Sequence, residues 1–265
     1  MVTPNTGTHP SASLLDEVDL ALRAPILSSV RQEENQTHHR IRPMLYRMYI
    51  ACHILQLGYE ARFTALVLFH RYTRAVKGDG ADPTWAAASC LFLACKAEEE
   101  PRRLRDVINL AHMLLSTSRD ESAHIVLKIE PPHLNEDYWD AKKKIVETEQ
   151  IVLRWLAFDV SVSHPHRAVS LILEKDELVR DKIVPIAFRR LNDALFHGPA
   201  LEHLALEMAC AAIELARVEI EIGNVTLFKG RWWGKLNVSN EALEETKKHL
   251  NEATYLLKQC ANGIE

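Results

Sequence analysis

The chain has 265 residues, room for one large domain or two ordinary ones, and 47% of them are hydrophobic, enough for a substantial core. A formal net charge of -4 argues against an electrostatic hold on nucleic acid. Nine glycines are few for this length, and few long stretches alternate apolar with polar residues, so an all-α protein is expected. No apolar run approaches the roughly 18 residues of a membrane-spanning helix. The opening MVTPNTGTHPSAS lacks the basic and apolar regions of a secretory signal, so secretion is not expected. Cys52, Cys90, Cys95, Cys210 and Cys260 form no CxxC pair. Four of them lie inside helical patterns, which fits reduced thiols of a cytosolic or nuclear protein and neither a disulfide framework nor a zinc site.

Residues 1–36 have the character of a tail; Leu14, Leu15, Val18 and Leu22 fit a short docking helix and a frayed terminus equally. Regular structure is predicted from Pro43, a suitable first-turn residue, through Leu45, Met48, Tyr49, Cys52 and Leu55, with Gly58 as C-cap. A second helix is predicted over about Glu60–Lys77, stopping at Gly78, with Phe63, Leu66, Val67 and His70 on its apolar face. A lone histidine there reads as a satisfied core residue. Asp82 and Pro83 then start a helix of unusual composition, Thr84–Ala97. Ala86, Ala87, Ala88, Ser89, Cys90, Ala94 and Cys95 are small and point in every direction, with Trp85, Leu91, Phe92 and Leu93 between them. A helix apolar all round is buried all round, so this one is expected to be the central post of a bundle. Lys96 is its one charge, on the face of Trp85, Ser89, Phe92 and Leu93 at about 100° per residue.

Glu98, Glu99, Glu100 and Pro101 end the post; an acidic helix end of this kind usually reads as a solvated face. Leu104, Val107, Ile108, Ala111, Leu114 and Leu115 mark a fourth helix, and 117–135 is a long connection of the sort that is functional or mobile. A fifth helix is predicted from Asn135 to about Phe158. Ile145, Val152 and Leu156 share its apolar face, flanked by Val146, Leu153 and Trp155, and Glu149 falls in the middle of that arc. An acid there is as odd as Lys96, and the two are candidates for a shared task. The pattern then restarts with helices near Arg167–Leu173 and Ile183–Phe196, a second small-residue post over Leu201–Arg217, the aromatic Trp232-Trp233, and a last helix capped by Ser239 and reaching about Gln259. Two sets of roughly five helices around alanine-rich posts point to a repeated five-helix unit. Among catalytic motifs, no Gly-rich phosphate loop, HExxH, nucleophile elbow or kinase signature is present.

Several segments resemble the cyclins, and more closely the transcription-type cyclins. Phe92–Leu115, FLACKAEEEPRRLRDVINLAHMLL, resembles the end of the third cyclin-box helix with its K-x-E-E signature. Val67–Tyr72 resembles the H-R-F/Y segment of transcription-type cyclins, and NEDYWDAKKKIVETEQIVLRWLAF from Asn135, followed by SHPHRAV, is most similar to cyclin L. Trp232-Trp233 and Asn192-Asp193 resemble the second boxes of cyclins K, T and Q. The resemblance implies an all-α fold of two tandem five-helix boxes, 37–160 and 161–262, behind the tail. It implies a nuclear, non-catalytic subunit that pairs with a cyclin-dependent kinase and needs no cofactor, metal, membrane or direct nucleic-acid contact. In cyclins, a lysine at the position of Lys96 and a glutamate at that of Glu149 grip backbone groups near the kinase's regulatory helix. By the same resemblance, Glu98, Glu99, Phe92 and Leu93 are expected beside them in the kinase contact. The plain alternative is a Lys96–Glu149 salt bridge serving only the fold. Two competing functions are a nucleic-acid-binding general transcription factor, which should show a basic face, and a stand-alone enzyme.

Overall fold

The computed structural model describes residues 26, 34–76, 80–112, 136–174, 177–220, 228 and 230–262. The described residues form helices with no β-strand. In chain order these are α1 (Glu34–Ile54), α2 (Tyr59–Ala75), α3 (Pro83–Ala97), α4 (Leu104–Leu110), α5 (Glu136–Trp155), α6 (Pro165–Ile172), α7 (Glu177–Asp193), α8 (Ala205–Glu219) and α9 (Asn240–Asn262). Short 3-10 segments cover Ala194–Phe196, Gly198–Glu202 and Trp232–Leu236.

Both small-residue helices are posts. The Asp82 carboxylate caps α3 by accepting the Thr84 N–H at 2.8 Å, with Pro83 in its first turn. From Ala86 to Cys95 every residue of α3 except Phe92 is buried. Methyl-sized side chains let α1, α2, α4 and α5 all lie against it. Residues Ala205 to Ala216 of α8 are buried almost without interruption, and α6, α7 and α9 pack around them. The two tandem helical units expected around these posts are therefore both present. Among the described residues the second contains four α-helices and the 3-10 segments, where five helices were expected. Cys52, Cys90, Cys95 and Cys210 are free and buried in these cores. Burial pushes the Cys95 thiol up to about 11 and Cys210 to about 12, and Cys52 and Cys90 higher still, so they pack as small apolar groups.

Several boundaries differ from the sequence reading. Helix α1 starts well before Pro43, which lies inside it; one missing N–H is tolerated in a helix held by packing further along. Gly58 is the N-cap of α2, not the C-cap of α1. Gln56 instead takes the left-handed conformation at φ 52°, and Arg102 secures that turn by donating to the carbonyls of Leu55 and Gln56, each at 3.0 Å. Helix α2 ends at Ala75, and α5 ends at Trp155 rather than near Phe158. Gly78, Leu114, Leu115 and the 117–135 connection lie outside the described residues, as does the tail apart from Ile26 and residues 34–36, which open α1.

The glycine at 58 answers a close approach. Its N–H donates to Glu100 Oε2 at 2.9 Å, and a Cβ there would run into Glu100 Oε1. Gly58→Ala is expected to displace Glu100 and cost about 1–3 kcal/mol for the charged hydrogen bond, partly offset by about 0.4–1 kcal/mol of unfolded-state entropy. A lowered urea midpoint with an unchanged slope is the expected result; an unchanged midpoint refutes the account.

The boxes are joined by polar bonds as well as by packing. His70, fully buried as expected of a core histidine, donates from Nε2 to the Leu195 carbonyl at 2.8 Å. Arg74 pairs with Glu202 at 2.8 Å, and Arg71 donates to the carbonyls of Ile26 and Ser161. Three positions of one α2 face thus tie the first box to the tail, to the linker after α5 and to the 3-10 segments after α7.

Candidate functional site

The last turn of α3 emerges from the core, and this releases the one lysine of that helix. Lys96 Nζ lies 2.6 Å from Glu149 Oε1 of α5. The two were expected to be buried charges; instead the Lys96 side chain is 46% exposed, whereas Glu149 is only 14% exposed. Lys96 also stands over the Phe92 ring at 4.1 Å, a cation–π contact that holds the ammonium at the helix surface. Two turns earlier on α3 and one turn earlier on α5, Ser89 Oγ donates to the Ile145 carbonyl at 3.2 Å.

The position of Glu149 follows from the two halves of its arc. Ala141, Ile145, Thr148, Val152 and Leu156 face the core. Trp139 (57% exposed) and Val146 face solvent, with Leu153 half-buried, along a stripe turned by about a third of a circle. Glu149 lies on the line between them. Its carboxylate is held by Lys96, while on the outer stripe the Lys142 ammonium lies 5.1 Å from the Trp139 ring centroid and Leu153 packs partly on the core. Sequence periodicity merged both halves into one apolar face, because it reports hydrophobicity and not what covers it.

The turn after α5 adds a residue that the sequence reading missed. Ala157 and Phe158 are consecutive left-handed residues at φ 50° and 61°, a conformation that costs a non-glycine residue free energy. Phe158 N–H donates to the Leu153 carbonyl at 2.8 Å, closing the helix, and the ring is left 69% exposed. No propensity rule anticipates this; the only signal in sequence is an aromatic residue just past the last helical apolar position.

The remaining candidates separate by direction. Phe92 is half-buried under Lys96, and Glu99, at φ 55°, is exposed beyond the end of α3. Leu93 is buried in the core. Glu98 faces inward: its Oε1 accepts from Thr64 Oγ1 at 2.6 Å and lies 3.2 Å from His164 Nε2, at the start of the second box. The His164 bond, aided by Thr64, holds its carboxyl below the ordinary range against the opposing effect of burial. Glu100 accepts from Gly58 and lies 3.5 Å from Arg102. The acidic run is therefore not a solvated face. Two of its three carboxylates fasten the fold, and only Glu99 is left outward.

The chain matches the family described as "Cyclin, N-terminal domain" over residues 15–161, more than half of its length. It is 32% identical to human Cyclin-L1 over 195 residues, 72% of this chain and 35% of that protein. It is 34% identical to human Cyclin-L2 over 172 residues, 64% of this chain and 32% of that protein. The chain thus spans about a third of the length of the curated relatives it matches. Among solved structures, a chain of the yeast RNA Pol II CTD kinase CTDK-1 complex superposes with a TM-score of 0.63 at 17% identity, over 89% of this chain and 70% of that one. A viral cyclin from herpesvirus saimiri superposes at 0.57 with 14% identity, over 91% and 97%. A chain of the CAK complex from Chaetomium thermophilum superposes at 0.54 with 17% identity, over 95% and 75%. These likenesses concern the fold.

Proposed function

The chain belongs to the cyclin family, and on that premise we propose that it is the regulatory, non-catalytic subunit of a cyclin-dependent serine/threonine kinase. Its field of action in this reading is nuclear: transcription by RNA polymerase II, or RNA processing. Support for that field comes from the cyclin L relatives and from the RNA Pol II CTD kinase complex among the fold neighbours. Residues 37–160 form the kinase-binding box, 161–262 the second box, and 1–36 a tail. One observation carries the proposal: a half-open Lys96–Glu149 pair has its glutamate between the buried face of α5 and the largely exposed Trp139 and Val146.

Such a surface suits a partner helix. Trp139, Val146, Leu153 and Phe158 offer apolar contact. Lys96 donates to carbonyls and Glu149 accepts from amides at the partner helix's end, where backbone groups lack intrahelical partners. Held inward by this contact, the kinase's regulatory helix keeps its glutamate on the catalytic lysine and the metal-binding aspartate in line. Glu99 and Phe92 border the contact, and Glu98 and Leu93 support it from within.

Capture of nuclear proteins on the immobilised chain, followed by mass spectrometry, should recover a cyclin-dependent kinase, and Lys96→Glu should lose it. Peptide phosphorylation by the captured pair should exceed that by either component; phosphorylation by the rigorously purified chain alone overturns the reading. Phe158→Ala is expected to weaken kinase binding by about 2 kcal/mol as the loss of an aromatic anchor. Because the ring is largely in solvent, the same change should alter folding stability by less than about 0.5 kcal/mol. Undiminished affinity in a titration of the Phe158→Ala protein removes Phe158 from the interface.

A further inference from the structure

Away from the α3–α5 surface, three histidines and two glutamates meet where the last helix lies on the 3-10 segments between α7 and α8. His203 follows the Gly198–Glu202 turn, and its Nε2 lies 2.8 Å from His249 Nδ1 on α9. On its other side His203 Nδ1 faces Glu207 Oε2 at 3.7 Å. Glu207 is fixed in the first turn of α8, where it accepts the Leu204 N–H at 3.1 Å. His197 packs edge-on against His249, ring centroids 5.4 Å apart, and its Nε2 lies 3.6 Å from Glu252, less than a turn beyond His249 on α9.

Two nitrogens at 2.8 Å hold one hydrogen between them. The Glu207 carboxylate favours the proton on His203 Nδ1, which leaves a lone pair on Nε2 to accept His249 Nδ1–H. The His249–His203 hydrogen bond, with the Glu207 carboxylate close behind it, is satisfied when both imidazoles are neutral. It also tolerates one added proton, placed on His203 between the carboxylate and His249. It does not tolerate two. With both rings charged, each contacting nitrogen carries a hydrogen, the bond is lost, and two like charges face each other in a half-buried site. The other charges facing His249 lie on its own helix: Glu245 and Glu252 favour its protonation, and Lys248 opposes it. From α7, Asp193 and Arg190 reach α9 further along, at Thr254.

We propose that the His203–His249 pair is a proton-operated strap, which holds α9 on the segment between α7 and α8 at neutral pH and releases it on acidification. What it releases bears on the whole molecule, because the same segment supplies the Leu195 carbonyl to His70 and Glu202 to Arg74 of the first box. The sign follows from burial. Burial first, and then the charge of His203, holds His249 below the ordinary histidine range. The unfolded chain therefore takes up protons that the folded chain refuses. Stability is full above the unfolded value of about 6.5 and is lost as pH falls through and below it. Glu207 is held down by His203, so it stays ionised through this window.

Hydrogen exchange of α9 in the full chain, at about pH 7.5 and about pH 5.8 after correction for intrinsic rates, tests the strap. Protection of α9 should fall several-fold in the parent. His249→Asn keeps an N–H donor near the position of Nδ1 but cannot titrate, and its α9 protection should not change with pH. Unchanged protection in the parent, or an equal loss in the Asn variant, overturns the proposal. NMR titration of the imidazole signals in the parent chain is independent of that variant's folding. His249 should titrate below the ordinary histidine value of about 6.5; a His249 midpoint at or above that value also overturns the proposal.

Discussion

Lys96→Ala is expected to weaken kinase binding by roughly 2–5 kcal/mol, some 30-fold to a few thousand-fold in affinity, because a desolvated charged donor is removed and the kinase carbonyl it served is left unpaired. Glu149→Ala should weaken binding to a similar degree. Effects on the free chain should differ between the two. Glu149 is 14% exposed and loses its counter-charge in Lys96→Ala, whereas Lys96 at 46% exposure can hydrate in Glu149→Ala. The lysine variant should therefore be the less stable, although the half-open pair contributes only about 0–1 kcal/mol. The informative protein is the exchange, Lys96→Glu with Glu149→Lys. It rebuilds the internal ion pair, so stability should return to near the parent value. It also turns each charge against a partner group of the wrong polarity, so binding and activation should stay lost. Urea denaturation and kinase titration on the same four proteins decide the matter. A doubly exchanged protein that binds like the parent assigns the pair to the fold alone.

Ala88→Leu is expected to destabilise the first box by about 1–3 kcal/mol through overpacking. Ala88 is 1% exposed on a helix with neighbours on every side, so three added carbons have no direction in which to go. Ala94→Leu, at 0% exposure, should behave alike. Lys142→Leu, on the exposed side of α5, should change stability by no more than about 0.5 kcal/mol. Equal losses at positions 88 and 142 would mean that α3 is not the central post.

Much of the fold was legible because posts announce themselves. A run of small residues with no polar face leaves α3 and α8 only one environment, the middle of a bundle. Capping chemistry, Asp82-Pro83 for α3 and Ser239 ahead of α9, is likewise local and was read correctly. The helix ends that were misplaced depend on distant partners. Gly58 is required by Glu100, 42 residues away, and the turn it was expected to form is made by Gln56 and held by Arg102.

The same division runs through the candidate site. Sequence by itself determined that Lys96 and Glu149 are out of place on apolar faces, because helical periodicity assigns each residue a direction from its own segment. It also determined that His70 belongs inside. Only the tertiary structure decided that Lys96 and Glu149 meet, that they are half-open rather than buried, and that Trp139, Val146 and Phe158 are left exposed on α5 and the turn after it. It likewise turned Glu98 and Glu100 inward, onto His164 and Gly58. Periodicity gives the direction of a side chain around its own axis, but exposure and charge pairing depend on what other segments bring to that side, and those segments lie tens of residues away.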